Sequence, residues 1–235
     1  VYKWNGISWN QLGDDIDGEA AGDQFGYSVS LSGNGSIVAI GAPYNDGANG
    51  SDSGHVRVYK WNGISWNQLG GVIDGEIGGD RFGESVSLSK DGERLAIGAP
   101  KNDGYGANLK ADSGHVRVFV WNGTSWVKLG SDIDGEVAGD QSGISVSLSG
   151  DGERVAIGAR FNDGANGTDT DSGHVRVYNI LRNTLTVNGL ATFNYSVDLD
   201  YTLTVDGLAT FNNSVNVSGN LDVDGTVDLN NTLTV

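Results

Sequence analysis

Val1-Tyr2-Lys3-Trp4-Asn5-Gly6 returns as Val58-Tyr59-Lys60-Trp61-Asn62-Gly63 and again as Val118-Phe119-Val120-Trp121-Asn122-Gly123. The spacings are 57 and 60 residues, and a partial fourth copy starts at Val177, 59 residues later. The length differences collect in one segment: Pro43 to His55 is twelve steps, Pro100 to His115 fifteen, and Arg160 to His174 fourteen. A frame of nearly constant length beside one variable loop is what packed strands joined over the surface produce.

Within a copy, alternation and turn residues mark the strands. Tyr27-Ser-Val-Ser-Leu31 alternates apolar and hydroxyl side chains, Gly33-Asn34-Gly35 turns the chain, and Ile37-Val-Ala-Ile40 returns as a more buried strand. After the variable loop come Val56-Arg-Val-Tyr-Lys60, a turn at Asn62-Gly63, and Trp66-Asn-Gln-Leu69. Each copy reads as four short antiparallel strands, with Val29, Leu31, Val38, Ile40, Val56 and Val58 as core positions.

The composition agrees with an all-β fold. Glycine fills 38 of 235 positions and proline only two, which supplies turns without the proline content of a disordered linker. Thirty acidic residues against fourteen basic ones give a net charge of −16, which repels a phosphate backbone and excludes nucleic acid as a natural partner. Cysteine is absent, so neither disulfides nor thiolate metal sites exist. No apolar run approaches the length of a membrane span, and membrane insertion is not expected. The chain opens on Val1 with no signal peptide, and reads as a piece of a longer product.

From Leu185 the period changes. Apolar pairs recur every six residues: Leu185/Val187, Ala191/Phe193, Val197/Leu199, Leu203/Val205, Ala209/Phe211, Val215/Val217, Leu221/Val223, Val227/Leu229 and Leu233/Val235. Turn formers stand between them at Asn188-Gly189, Asp206-Gly207, Asn212-Asn213, Ser218-Gly219, Asp224-Gly225 and Asn230-Asn231. Leu185 to Asn194 is nearly repeated at Leu203 to Asn212, an 18-residue echo. Strands this short cannot make an independent sheet and must wind about a shared axis. The expectation is two domains: residues 1–180 as β-repeats and 181–235 as a hexapeptide β-helical stalk, either three intertwined chains or one triangular coil. The stalk resembles the hexapeptide shafts of phage and viral tail fibres. That resemblance implies self-association as a homotrimer through 185–235.

Phe25-Gly26 followed by Gly41-Ala42-Pro43, and Phe82-Gly83 followed by Gly98-Ala99-Pro100, resemble the FG-GAP repeats of integrin-α-type β-propellers. The resemblance covers roughly residues 1 to 180 and implies propeller blades. The third copy departs from it, with Ser142 and Arg160 in place of the phenylalanine and the proline. Three blades do not close a ring, so further repeats or subunit association must cover the open faces. A threefold β-trefoil or β-prism is the single-chain alternative.

Candidate sites are carboxylates, histidines and tryptophans. Asp15, Asp17, Glu19 and Asp23 place oxygen ligands at positions 1, 3, 5 and 9, a spacing that suits Ca²⁺, and Asp132, Asp134, Glu136 and Asp140 repeat it. The middle copy has Val72 at position 1 and keeps Asp74, Glu76 and Asp80. The family's own calcium loop lies between the Phe-Gly and Gly-Ala-Pro elements, where this chain has only a tight turn, so the resemblance does not bring its calcium site. A second acidic set sits in the variable loops: Asn45, Asp46 and Asp52; Asn102, Asp103 and Asp112; Asn162, Asp163, Asp169 and Asp171. Solvated turn chemistry is the competing reading of both sets, and the favoured one.

His55, His115 and His174 each occupy a Ser-Gly-His-Val-Arg-Val slot, and one per repeat reads as a strand residue with a structural hydrogen bond. Trp4/Trp9, Trp61/Trp66 and Trp121/Trp126 bracket the Asn-Gly turns and read as packing between blades, with a sugar platform as the alternative. Almost every polar residue is repeated threefold, whereas an active site needs unlike groups converging on one point. The reading is a non-enzymatic structural or adhesive component of an extracellular, cell-surface or virion fibre, with a cell-surface glycan or protein as ligand. A carbohydrate-binding lectin-like propeller, or a propeller hydrolase, is the competing class.

Overall fold

Short strands of two to seven residues, set by the repeat, build every sheet of residues 1–180. A computed structural model describes residues 1–104, 110–164, 167, 169–180 and the strand segments between 184 and 234 named below. It forms two units, Val1–Ile180 and Leu181–Val235. The fold is all-β, and no helix occurs among the described residues.

The first unit opens with a hairpin of β1 (Tyr2–Trp4) and β2 (Trp9–Gln11). Two complete sheets follow. The first runs β3 (Ser28–Leu31), β4 (Ile37–Ala42), β5 (His55–Trp61) and β6 (Trp66–Gln68), all antiparallel, with β7 (Ile73–Asp74) pairing the start of β5. The second repeats it as β8 (Ser85–Leu88), β9 (Arg94–Ala99), β10 (His115–Trp121), β11 (Trp126–Lys128) and β12 (Ile133–Asp134). A third sheet holds β13 (Ser142–Leu148), β14 (Arg154–Ala159) and β15 (His174–Asn179). The fifth strand was not legible in the sequence, because two residues are too few to show alternation.

The first sheet packs its Ile37, Ala39, Val56 and Val58 against Val86, Leu88, Leu95 and Ile97 of the second, with Phe82 fully buried at the seam. Val116 and Val118 of the second sheet then meet Val155 and Ile157 of the third, with Val146 and Leu148 partly buried beside them. Glycines decide how closely the sheets approach. A Cβ on Gly41 would strike the Gly83 carbonyl oxygen, and one on Gly98 the Gly143 carbonyl oxygen. The Ser28 and Ser85 hydroxyls donate to those carbonyls at 2.7 Å. The glycines of the Phe-Gly and Gly-Ala elements therefore face one another across each seam.

Of the expected core positions, Val38, Ile40, Val56 and Val58 are buried. Val29 and Leu31 are not: they are 64% and 50% exposed. Their counterparts Val86 and Leu88 are buried, because the second sheet has the first sheet in front of that face.

In the second unit the strands pair in parallel at an 18-residue offset. The three sheets are β16 (Thr184–Val187) with β19 (Thr202–Val205) and β22 (Leu221–Val223); β17 (Ala191–Phe193) with β20 (Ala209–Phe211) and β23 (Val227–Leu229); and β18 (Val197–Leu199) with β21 (Val215–Val217) and β24 (Leu233–Thr234). Leu185, Leu203 and Leu221 share one register column, and Phe193, Phe211 and Leu229 another. The turns expected at 188–189, 206–207, 212–213, 218–219, 224–225 and 230–231 lie outside the described residues, as does Val235.

Candidate functional site

Each Ser-Gly-His-Val-Arg-Val strand carries a histidine and an arginine on the inner part of its sheet. Arg57 pairs with Glu19 at 3.2 Å, Arg117 with Glu76, and Arg176 with Glu136. The position-5 carboxylate of every expected cation loop is thus held by a guanidinium. At position 1, Asp132 accepts two hydrogen bonds from Arg117 at 2.9 Å each and one from Lys128 at 2.9 Å. Although burial raises its carboxyl, these donors hold it down at about 2. Asp15 accepts from Gln11 at 2.9 Å. Desolvation raises the carboxyl of Asp134, and no hydrogen bond from a cation reaches it; Asp17, its counterpart, is exposed.

Position 9 has a different partner. Asp23, Asp80 and Asp140 are buried and accept from Asn45, Asn102 and Asn162 at 2.7, 2.9 and 2.8 Å. The two acidic sets, separate in sequence, meet at this one amide–carboxylate contact in each copy. The remaining loop carboxylates close their own turns: Asp46, Asp103 and Asp163 accept from the backbone N–H of Asp52, Asp112 and Asp171 at 2.9–3.0 Å. The three donors, Asp52, Asp112 and Asp171, adopt φ of +53° to +54°, a left-handed conformation that aspartate tolerates better than most side chains. Lys101 also pairs with Asp112 at 2.8 Å. Among the described residues, no three His, Asp or Glu side chains converge as a metal site.

The histidines depart from the expected hydrogen-bonded role. His55 and His115 are buried, and the Nε2 atom of each lacks a partner. Desolvation and the neighbouring arginine lower both, His115 to about 4, so both are neutral at pH 7. His174 is only partly buried and, with Glu136, Asp140, Asn162, Asp163 and Arg176, lines a cleft of about 630 Å³.

The tryptophans pair across their hairpins with ring centroids 5.4–5.5 Å apart. The turns between them are closed by Asn5, Asn62 and Asn122, whose Oδ1 atoms accept two backbone N–H groups each. Trp66 and Trp126 donate their indole N–H to the Leu12 and Leu69 carbonyls of the preceding copy, which is the expected packing role. Trp4 and Trp9 are exposed.

Sequence reasoning weighed the histidine of the repeated slot and passed over the arginine two residues on. The signal was present, since a basic residue recurring in a strongly acidic chain must find carboxylates. Glu84 was also missed: burial raises its carboxyl, opposed by Arg81, Arg160 and Lys101.

No curated protein sequence matches the chain. Among solved structures, it is similar to a putative 6-phosphogluconolactonase from Bacteroides uniformis at 14% identity, with 64% of this chain and 35% of that chain covered and a TM-score of 0.41. It is also similar to Kuenenia stuttgartiensis hydrazine synthase at 14% identity, with 61% and 32% covered and a TM-score of 0.36. The chain therefore spans about a third of the length of these solved structures. The family model described as FG-GAP repeat matches residues 16–59 and 74–119, so FG-GAP repeats are found in the first two copies, consistent with a propeller-like arrangement of the all-β fold.

Proposed function

We propose that the chain is a non-enzymatic structural and adhesive component of an extracellular or virion fibre, presenting its repeated β-surface on a stalk. One observation carries the reading: the recurring polar side chains are spent inside the fold. Asp23, Asp80 and Asp140 hold asparagines, Glu19, Glu76 and Glu136 hold arginines, and Asp46, Asp103 and Asp163 hold backbone. Catalysis asks for unlike groups aimed at one reacting atom, and groups consumed as staples are not free for it. The 18-residue offset between parallel strands supports a three-sided β-helical coil wound from one chain as the stalk, in preference to three intertwined chains.

The test uses labelled full-length chain on a glycan array and on intact cells, with and without prior protease treatment of the cell surface. Retention on either target supports adhesion; loss of array binding in Trp4→Ala assigns the exposed Trp4/Trp9 pair as a sugar platform. No retention anywhere, or turnover of a panel of ester and glycoside substrates by the purified chain, overturns the reading.

A further inference from the structure

Where the copies stop agreeing, unlike side chains come together. Ser28 pairs with Gly41, Ser85 with Gly98 and Ser145 with Gly158, at the same end of β3/β4, β8/β9 and β13/β14. Gly26, Gly83 and Gly143 repeat beside them, as do Ala42, Ala99 and Ala159. The larger side chains set among these small residues do not repeat. Gln24, Arg81 and Gln141 are equivalent, as are Tyr27, Glu84 and Ile144; Pro43, Pro100 and Arg160; and Tyr44, Lys101 and Phe161. Three of the fourteen basic residues of a strongly acidic chain thus gather about Glu84, where Arg81, Arg160 and Lys101 oppose the rise that burial imposes on its carboxyl. Arg81 reaches across the first seam and lies over the Tyr44 ring at 4.8 Å, and its guanidinium has no acceptor among the described residues. Arg160 donates only to a neutral group, Gln141 Oε1, at 3.0 and 3.3 Å. Lys101 is already neutralised by Asp112 at 2.8 Å. Glu84 is partly buried, and its Oε2 has no hydrogen-bond partner. Tyr27, 51% exposed, stands edge-on to Tyr44 with ring centroids 6.3 Å apart.

We propose that this patch binds an acidic sugar of the hexuronate class, with the sugar carboxylate on Arg81, a hydroxyl donating to the Glu84 carboxylate, and the C–H face of the ring against the Tyr27/Tyr44 pair. A guanidinium without an acceptor beside a carboxylate without a donor is satisfied by a ligand that brings both, and a guanidinium fork matches a carboxylate in geometry. Arg160 adds positive potential on the far side of Glu84. The same glutamate selects against phosphate and sulfate esters, whose extra negative charge would face it, and the tyrosine ring supplies the flat apolar surface that a pyranose needs. The repeated polar groups are spent as staples inside the fold, whereas these unrepeated ones are not, so a ligand has only them to recognise. It rests on the adhesive reading for the glycan that carries the sugar, while the free sugar tests the patch by itself.

The experiment titrates the full chain with methyl glucuronide, uncharged methyl glucoside, N-acetylaspartate and inorganic sulfate, followed by calorimetry or ligand-observed NMR. The variants borrow residues from the other copies, so that each is already accommodated at its position. Arg81→Gln installs the residue that Gln24 and Gln141 provide at φ of +54° and +55°, against +56° for Arg81, and Glu84→Ile installs the equivalent of Ile144. Both should keep the wild-type circular dichroism. Methyl glucuronide is expected to bind at least about tenfold more tightly than the other three probes, and Arg81→Gln to remove that preference. Glu84→Ile should weaken methyl glucuronide and strengthen sulfate, and Trp4→Ala should change nothing. Equal affinity for methyl glucuronide and methyl glucoside overturns the proposal, as does sulfate or N-acetylaspartate binding as tightly as the glucuronide. Binding unchanged in both Arg81→Gln and Glu84→Ile, or lost in Trp4→Ala, places the sugar elsewhere and overturns it too. Absence of binding overturns the patch and leaves adhesion to be decided by retention on cells.

Discussion

Asp132 grips Arg117 with both carboxylate oxygens, each 2.9 Å from a guanidinium nitrogen, and the position that corresponds to Asp132 beside Arg57 is Val72. Arg57 is as buried as Arg117, yet its Nε and one terminal nitrogen have no partner. It keeps Glu19 and Tyr59, both 3.2 Å from its other terminal nitrogen, and lies over the Phe25 ring at 4.5 Å. One copy has lost half of a contact that another retains.

Val72→Asp should therefore stabilise the protein. A carboxylate on buried, unpartnered guanidinium donors contributes on the order of 1–3 kcal/mol. The midpoint of urea unfolding should rise, and Asp132→Ala should lower it by a similar amount. A fall in Val72→Asp would show that the apolar contact of Val72 matters more.

Leu88→Ala and Leu31→Ala remove the same atoms from equivalent strands with unequal consequences. Leu88 is 7% exposed and its loss should cost about 2–5 kcal/mol. Leu31 is 50% exposed, and its truncation should cost under about 1 kcal/mol in dilute solution. Equal losses would mean that Leu31 is covered in solution.

Gly98→Ala tests the close approach of sheets. The added methyl meets the Gly143 carbonyl oxygen and the Ser85 hydroxyl, and backbone cannot yield as a flexible side chain does. A loss of about 3 kcal/mol or more is expected, with the third sheet loosened first in hydrogen exchange. Gly71→Ala, where nothing lies within 4 Å, is the neutral control.

Stability should fall as pH drops from about 6.5 towards 4. The folded value of His115 lies at about 4 against an ordinary 6.5, so the unfolded chain takes up the proton first across that window. The full shift corresponds to about 3 kcal/mol. Burial lowers His55 in the same direction. Asp132 adds a second loss below its ordinary 3.8, as pH falls towards its folded value of about 2. Burial raises Asp80, Glu84 and Asp134, which act in the opposite sense. Chemical unfolding of His115→Leu against wild type at pH 7.5, 6 and 5 cancels those groups. The variant's slope should be shallower, and parallel slopes would remove His115 as the cause.

Thermal scans in excess chelator and in millimolar calcium should superimpose, because Gln11 and Arg117 hold the carboxylates at position 1, arginines those at position 5 and asparagines those at position 9. A rise in calcium would return Asp15, Asp17, Glu19 and Asp23 to a ligand role, since a cation that binds only the folded state stabilises it by mass action.

The sequence by itself determined the repeat, four of the five strands of each complete sheet and the place where the period changes, because these are local: side chains alternate along one strand, and turns need particular residues. It also marked Phe82-Gly83 and Gly98-Ala99-Pro100 as a unit. Tertiary structure decided everything that depends on a neighbour. Val29 and Val86 occupy equivalent strand positions, yet one is 64% exposed and the other buried, because burial belongs to the pair of sheets and not to the strand. Asp15 and Asp132 fit a cation spacing along the chain, but spacing in one segment carries no information about an arginine arriving from another strand. That arrival turns the carboxylate of Asp132 from a candidate ligand into the anchor of Arg117.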